Sequence, residues 1–141
     1  MIDSFRGKFR FLSNFYPCQT PWEGEMWPTV EHAYQAAKAK DKTVRSMFLE
    51  GITAGEAKSL GRQVEMREDW EEVKLSVMEE LLRIKFAAGT SLAQRLIATE
   101  DEELVEGNNW GDTFWGFCKG QGENHLGKLL MKIREERKGG K

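Results

Sequence analysis

The stretch TVEHAYQAAK sets three different chemistries along one helical stripe. Glu31, Gln35 and Lys38 recur at spacings of four and three, while Val30, Ala33 and Ala37 form the adjacent apolar stripe. A carboxylate, an amide and an ammonium at the margin of a buried face could stabilise a cation, orient a water and hold an anion. The helix dipole favours the ionised form of an acid in the first turn, so Glu31 suits a base or cation stabiliser better than a proton donor. The same spacing also fits an acid that pairs only with the dipole and a lysine that points to water. Spacing alone leaves both readings open.

A second candidate is EGNNWGDTFWG, residues 106–116, which carries Glu106 and Asp112 together with Trp110 and Trp115, two of the chain's five tryptophans. Its glycines let backbone approach a ligand closely, so the segment reads as a binding wall. It reads equally as a compact loop whose tryptophans plug a core and whose Asp makes a local turn. Downstream, GFCKGQGENHLGK offers backbone N–H groups at a helix start that could cradle a phosphate, though at neither P-loop nor dinucleotide spacing. Asn124 there is also an ordinary helix cap. His32 and His125, the only histidines, lack partners at metal-ligand spacing and read as satisfied core or surface residues. Cys18 and Cys118, far apart in sequence, read as reduced, buried thiols.

The elements that must position these residues are legible from their punctuation. Residues 1–28 are aromatic and turn-rich, which predicts short strands with a tight turn at Glu23-Gly24. Thr29 caps a helix over VEHAYQAAKAK, Thr53 and Glu56 form a capping box, and Asp69 with Glu72 repeats that signature before the longest helix. In that helix Trp70, Val73, Val77, Leu81 and Ile84 predict the buried face. Two more helices follow, one around residues 91–98 and one carrying Leu126, Leu129, Leu130 and Ile133, with a frayed ERKGGK tail. Leu104-Val105-Glu106 predicts a short strand that joins the N-terminal segment in a small sheet. The expected architecture is therefore α+β: a compact, mainly helical single domain over residues 1–141.

At 141 residues, 40% hydrophobic and 31% charged, the chain has the balance of a soluble globular domain. It lacks a membrane-length apolar run and an apolar leader stretch, which predicts a cytoplasmic protein with no membrane partner. A net charge of −2 argues against the broad basic face of general nucleic-acid binders; a nucleic-acid substrate would be held at one small site.

The blocks FLSNFYP, WPTVEHAYQAAK, AKSLGRQV followed by DW, DTFWG and GENHLGKLLMKIR occur in this order over about residues 5–135. The ordered set resembles the NADAR family, also called YbiA-like. That resemblance implies an N-glycosidase with a compact, mostly helical α+β fold. One branch cleaves ribosylamino-pyrimidine phosphate intermediates of riboflavin biosynthesis; another removes ADP-ribose from guanine bases in nucleic acid. By motif, the resemblance implies catalytic roles for Glu31, Asp112 and Glu106. It implies substrate-binding roles for Trp115, Trp110, Asn14, Gln35, Lys38, Arg62 and Asn124. Trp110 is a departure, an extra tryptophan in GNNWG that bears on substrate choice.

Such a reaction develops positive charge on the ribose, which a carboxylate near C1′ can stabilise. A second acid supplies the leaving base with a proton, tryptophans stack on the base, and Arg62 with Lys38 meets phosphate. The scheme calls for no metal and no cofactor. Its partners are an ADP-ribosylated base or a ribosylamino-pyrimidine phosphate, with nucleic-acid bases presented singly out of the stack, and no obligate protein partner. Two rival readings are a non-catalytic ADP-ribose- or NAD-binding module and a helical domain whose aromatic surface docks a protein.

Overall fold

The computed structural model describes residues 1–140, and the chain forms two compact units, Asn14–Lys85 and the combination of Met1–Ser13 with Phe86–Lys141. The class is α+β and mainly helical, with two two-stranded sheets. No described helix is long and apolar enough to cross a membrane.

Within Asn14–Lys85, β1 (Thr20–Trp22) and β2 (Glu25–Trp27) pair antiparallel around Glu23 and Gly24. Both turn residues have positive φ, 52° and 79°, the conformation that matches the twist of a two-residue hairpin. Helix α1 (Val30–Ala37) begins where the Thr29 side chain accepts the His32 N–H. All eight of its residues are buried, because it packs against β1, β2, α2 (Ala54–Gly61), α3 (Trp70–Lys85) and a 3₁₀ helix over Lys42–Leu49. The expected one-sided stripe is thus a helix covered all round, which changes the standing of its polar residues. Helix α2 carries the reciprocal capping box of Thr53 and Glu56. In α3 the buried face runs through Trp70, Met78, Leu81, Leu82 and Lys85, so Val73, Val77 and Ile84 lie at its half-buried edge rather than its centre. Asp69, expected as a cap, places both carboxylate oxygens on Arg67 at 2.6 and 3.0 Å.

In the other unit, α4 (Ser91–Ile97), capped by Thr90, packs on α5 (His125–Lys138), which buries Leu126, Leu130 and Ile133. Arg134, also buried, reaches Thr99 Oγ1 at 2.9 Å and the Glu102 carbonyl at 2.8 Å and so ties the end of α4 to α5. The N-terminal FRGKFRFL, expected as strand, forms a 3₁₀ helix over Gly7–Leu12 with Phe11 and Leu12 buried. Leu104 makes a single parallel bridge with Ile2, and the strand proper, β3, is Gly107–Asn108 paired with β4, Phe117–Cys118. The expected joint sheet is therefore reduced to that single bridge, and among the described residues the named strands form a hairpin in one unit and a short parallel pair in the other. The Glu-Arg-Lys of the tail lies inside α5, and Lys141 is outside the described residues. Cys118 is buried and Cys18 half-buried, both as free thiols.

Candidate active site

Glu31 and Gln35 are 7% and 4% exposed, so neither is a surface dipole partner. A buried carboxylate costs several kcal/mol unless hydrogen bonds replace its water. Here the Gln35 Nε2 donates to Glu31 Oε2 at 2.6 Å, one helical turn away, and the first-turn dipole adds to that support. The Glu31 backbone N–H donates to the Asn14 carbonyl at 3.1 Å, which brings the FLSNFYP block against the start of α1. Asn14 is itself buried, with Nδ2 3.6 Å from Met78 Sδ. Its Oδ1 and the Gln35 Oε1 are buried acceptors without a hydrogen-bond partner. Such orphans are uncommon in folded proteins, and each calls for a physical cause.

Lys38 is half-buried at the end of α1, and its pKa is lowered, chiefly by burial. The Glu31 charge opposes that shift, while Arg62, Lys58 and Lys74 reinforce it. Lys38 therefore lies within electrostatic reach of both Glu31 and Arg62. Arg62 closes α2 as its exposed C-cap. Asn14, Glu31, Gln35, Lys38 and Arg62, far apart in sequence, thus belong to one neighbourhood: buried acceptors beside cations.

The second group occupies the loop before α5. Asp112 Oδ1 accepts the N–H groups of Phe114 and Trp115 at 3.2 and 2.9 Å. The Asn108 side chain ties the loop further, donating to Glu106 Oε2 at 3.0 Å and to the Asp112 carbonyl at 2.9 Å. Asn124 sits at the start of α5 with a left-handed backbone, φ 52°, and makes no cap through its side chain. Instead its Oδ1 accepts from the Glu106 N–H and its Nδ2 donates to the Leu104 carbonyl, both at 2.9 Å. Of the two readings of this helix start, the phosphate cradle is already filled by the chain itself. The N–H groups of Glu123, Asn124, His125 and Leu126 donate to the carbonyls of Thr113, Gly116, Phe114 and Trp115. Trp115 is half-buried, edge-on to Phe114 at 4.9 Å and near His125 at 6.4 Å, whereas Trp110 is 53% exposed and plugs no core.

His32 behaves as a satisfied core residue, its ring between Thr29 Oγ1 at 2.7 Å and the Ile52 carbonyl at 2.8 Å. Two open clefts of about 440 and 360 Å³ in the Asn14–Lys85 unit share Glu23, Lys42 and Arg45 and include none of the sequence-selected residues. Their cations are offset by acids, Arg67 by Asp69 and Lys40 by Glu65 and Glu68. Sequence reasoning missed Lys85, a charged residue counted on no apolar face. It is 4% exposed, and burial pushes its pKa down to about 8. A lysine one turn from the end of an apolar stripe was the only available signal.

The family model described as the NADAR domain matches residues 4–137. The chain belongs to the NADAR family. Among NADAR relatives, a riboflavin biosynthesis protein of Vibrio vulnificus is 42% identical over 129 residues, 89% of this chain; the chain spans only 35% of that protein. An N-glycosidase of Nostoc punctiforme is 41% identical over 131 residues, covering 89% of this chain and 83% of its own. The N-glycosidase YbiA of Escherichia coli is 38% identical over 128 residues, 89% and 79% of the two chains. The NMR structure of the E. coli protein YbiA superposes with a TM-score of 0.82 at 34% identity, covering 96% of this chain and 86% of that one. The NADAR relatives matched over most of their length thus carry the name N-glycosidase, the enzyme class expected from the sequence.

Proposed function

We propose that the protein hydrolyses the ribosyl C1′–N bond of a phosphate-bearing ribosylated base, with Glu31 as the reacting carboxylate. The observation that carries this reading is a nearly inaccessible carboxylate at a helix start, held at 2.6 Å by Gln35 and accompanied by the partly buried Lys38. In such a hydrolysis water adds its oxygen to C1′, the C1′–N electron pair departs on the base nitrogen, and that nitrogen takes up a proton. Positive charge on the ribose peaks between these events, where a fixed carboxylate is worth more than in bulk water. Glu31 offsets that charge and accepts a proton from the attacking water. The orphaned acceptor of Asn14 suits a donor such as a ribose hydroxyl. Lys38 and Arg62 suit phosphate.

For the loop residues, the family motif assigns Trp115 and Trp110 to base stacking and Glu106 to the second acid. The geometry favours loop support for Asp112 and Asn124, whose side chains are engaged with backbone. Of the two finer substrates, removal of ADP-ribose from guanine in nucleic acid is put first by the family resemblance. Cleavage of a ribosylamino-pyrimidine phosphate is favoured by the riboflavin name of the Vibrio relative. Incubating the protein with an ADP-ribosylated guanine oligonucleotide and, separately, with the pyrimidine phosphate separates them, released base being scored by mass spectrometry. On the substrate that is cleaved, Glu31→Gln lowers kcat by at least about 100-fold with KM within about tenfold, because size is kept and charge removed. A wild-type rate for that variant would remove Glu31 from the mechanism.

A further inference from the structure

Gly61 ends α2 in helical backbone, not in the left-handed region that demands glycine. A helical glycine is a loss of stability relative to alanine, so something else must require the missing side chain. The cause is local. A Cβ built on residue 61 would overlap the Gln35 Oε1 outright, and would lie 2.8 Å from its Cδ and 3.3 Å from its Cβ. The Gln35 amide therefore rests directly on the α2 backbone at this position.

Its orientation there is dictated from the other end. With Nε2 donating to Glu31 Oε2 at 2.6 Å, the Oε1 must point away, toward Gly61, where it finds no hydrogen-bond partner. Turning the amide over would set oxygen against carboxylate oxygen, a loss far larger than an unpaired carbonyl. Gln35 is thus held by one charge-assisted hydrogen bond on one side and by a steric seat on the other. At 4% exposure it has little room to move aside without releasing Glu31.

We propose that Gln35 and Gly61 are positioning residues for Glu31: the absent side chain at 61 is the seat from which the Gln35 amide fixes the direction of the Glu31 carboxylate. This rests on the assignment of Glu31 as the reacting carboxylate. Neither residue touches the reacting atoms in this role. Because the nearest atom, Oε1, is the far end of a flexible side chain, Gly61→Ala displaces the amide rather than the α2 backbone.

The test compares wild type, G61A, Q35A, the G61A/Q35A double variant and E31Q, on whichever of the two substrates above the wild type cleaves. G61A and Q35A should each lower kcat by about 10- to 100-fold with KM little changed, as expected for a misdirected catalytic group. The double variant should match Q35A alone, since removing the amide vacates the space that the added methyl group needs. The side-chain amide resonances of Gln35, read by ¹⁵N–¹H NMR, should shift in G61A and need no turnover to be seen. Multiplying effects in the double variant, or unmoved Gln35 resonances in G61A, overturns the proposal. So does a wild-type kcat for G61A when E31Q is inactive; a wild-type kcat for E31Q instead overturns the assignment of Glu31 and the proposal with it.

Discussion

Lys85 ends α3 with its ammonium 5.6 Å from the Tyr16 ring centroid, and burial pushes its pKa down to about 8, with the Cys18 thiol charge opposing that shift. The unfolded lysine keeps its proton up to about 10.5, so between these values the unfolded state holds more protons than the folded one. Stability therefore rises with pH across that window, and the cost of the buried charge is felt in full below it. At about 1.4 kcal/mol per pH unit, the gain approaches about 3 kcal/mol. Urea unfolding from pH 7 to 10.5 should show this rise in the wild type and a flatter profile in Lys85→Met, which keeps length and removes the charge. Parallel profiles would mean that Lys85 keeps an ordinary pKa. The same residue shows a limit of sequence reading. Periodicity ranks residues by polarity, so a lysine whose stem and head are both buried is assigned to water.

At the scale of elements, what the sequence encodes locally was legible. Thr29, Thr53 with Glu56, and the Glu23-Gly24 turn act through partners within four residues, and each stands as expected. The 3₁₀ helices over Gly7–Leu12 and Lys42–Leu49 were not, because they bury Phe11, Leu12 and Phe48 without a helical repeat to announce it. The start of α5 is settled by longer-range pairing as well. Its free N–H groups looked available, but the carbonyls of residues 113–116 fold back and take them. That return depends on Asp112, whose Oδ1 gathers the Phe114 and Trp115 N–H groups. Asp112→Asn retains an acceptor oxygen of the same reach, so its midpoint of thermal unfolding should stay within a few degrees of wild type. Asp112→Ala removes the acceptor that both amides share and should cost about 1 to 3 kcal/mol. Activity read alongside decides the role: an Asn variant that folds and turns over like wild type makes Asp112 a loop support, and one that folds without turnover makes it an acid of the reaction.

Over the whole molecule, 21 basic residues stand against 23 acidic ones, and several of the basic ones are in pairs such as Arg67–Asp69, Arg83–Glu79 and Lys138–Asp101. The candidate residues are scattered over the chain from Asn14 to Asn124. Composition could not reveal that Asn14, Glu31, Gln35, Lys38 and Arg62 share a neighbourhood; only the order of motifs pointed there, and the burial of Glu31 came from the packing around α1. The charge balance bears on the substrate. A protein that grips single-stranded nucleic acid through Z phosphates loses affinity with a slope of about 0.7Z in log salt. If, as proposed, Lys38 and Arg62 meet the phosphates of an ADP-ribosylated guanine, one or two phosphates are engaged, and kcat/KM on such an oligonucleotide should fall less than about tenfold between about 50 and 200 mM salt. On the reading of one small site, lengthening the oligonucleotide should leave that dependence unchanged. A fall of several hundredfold that steepens with length would instead require an extended phosphate track, and the reading of one small site holding a single ribosylated base would then fail.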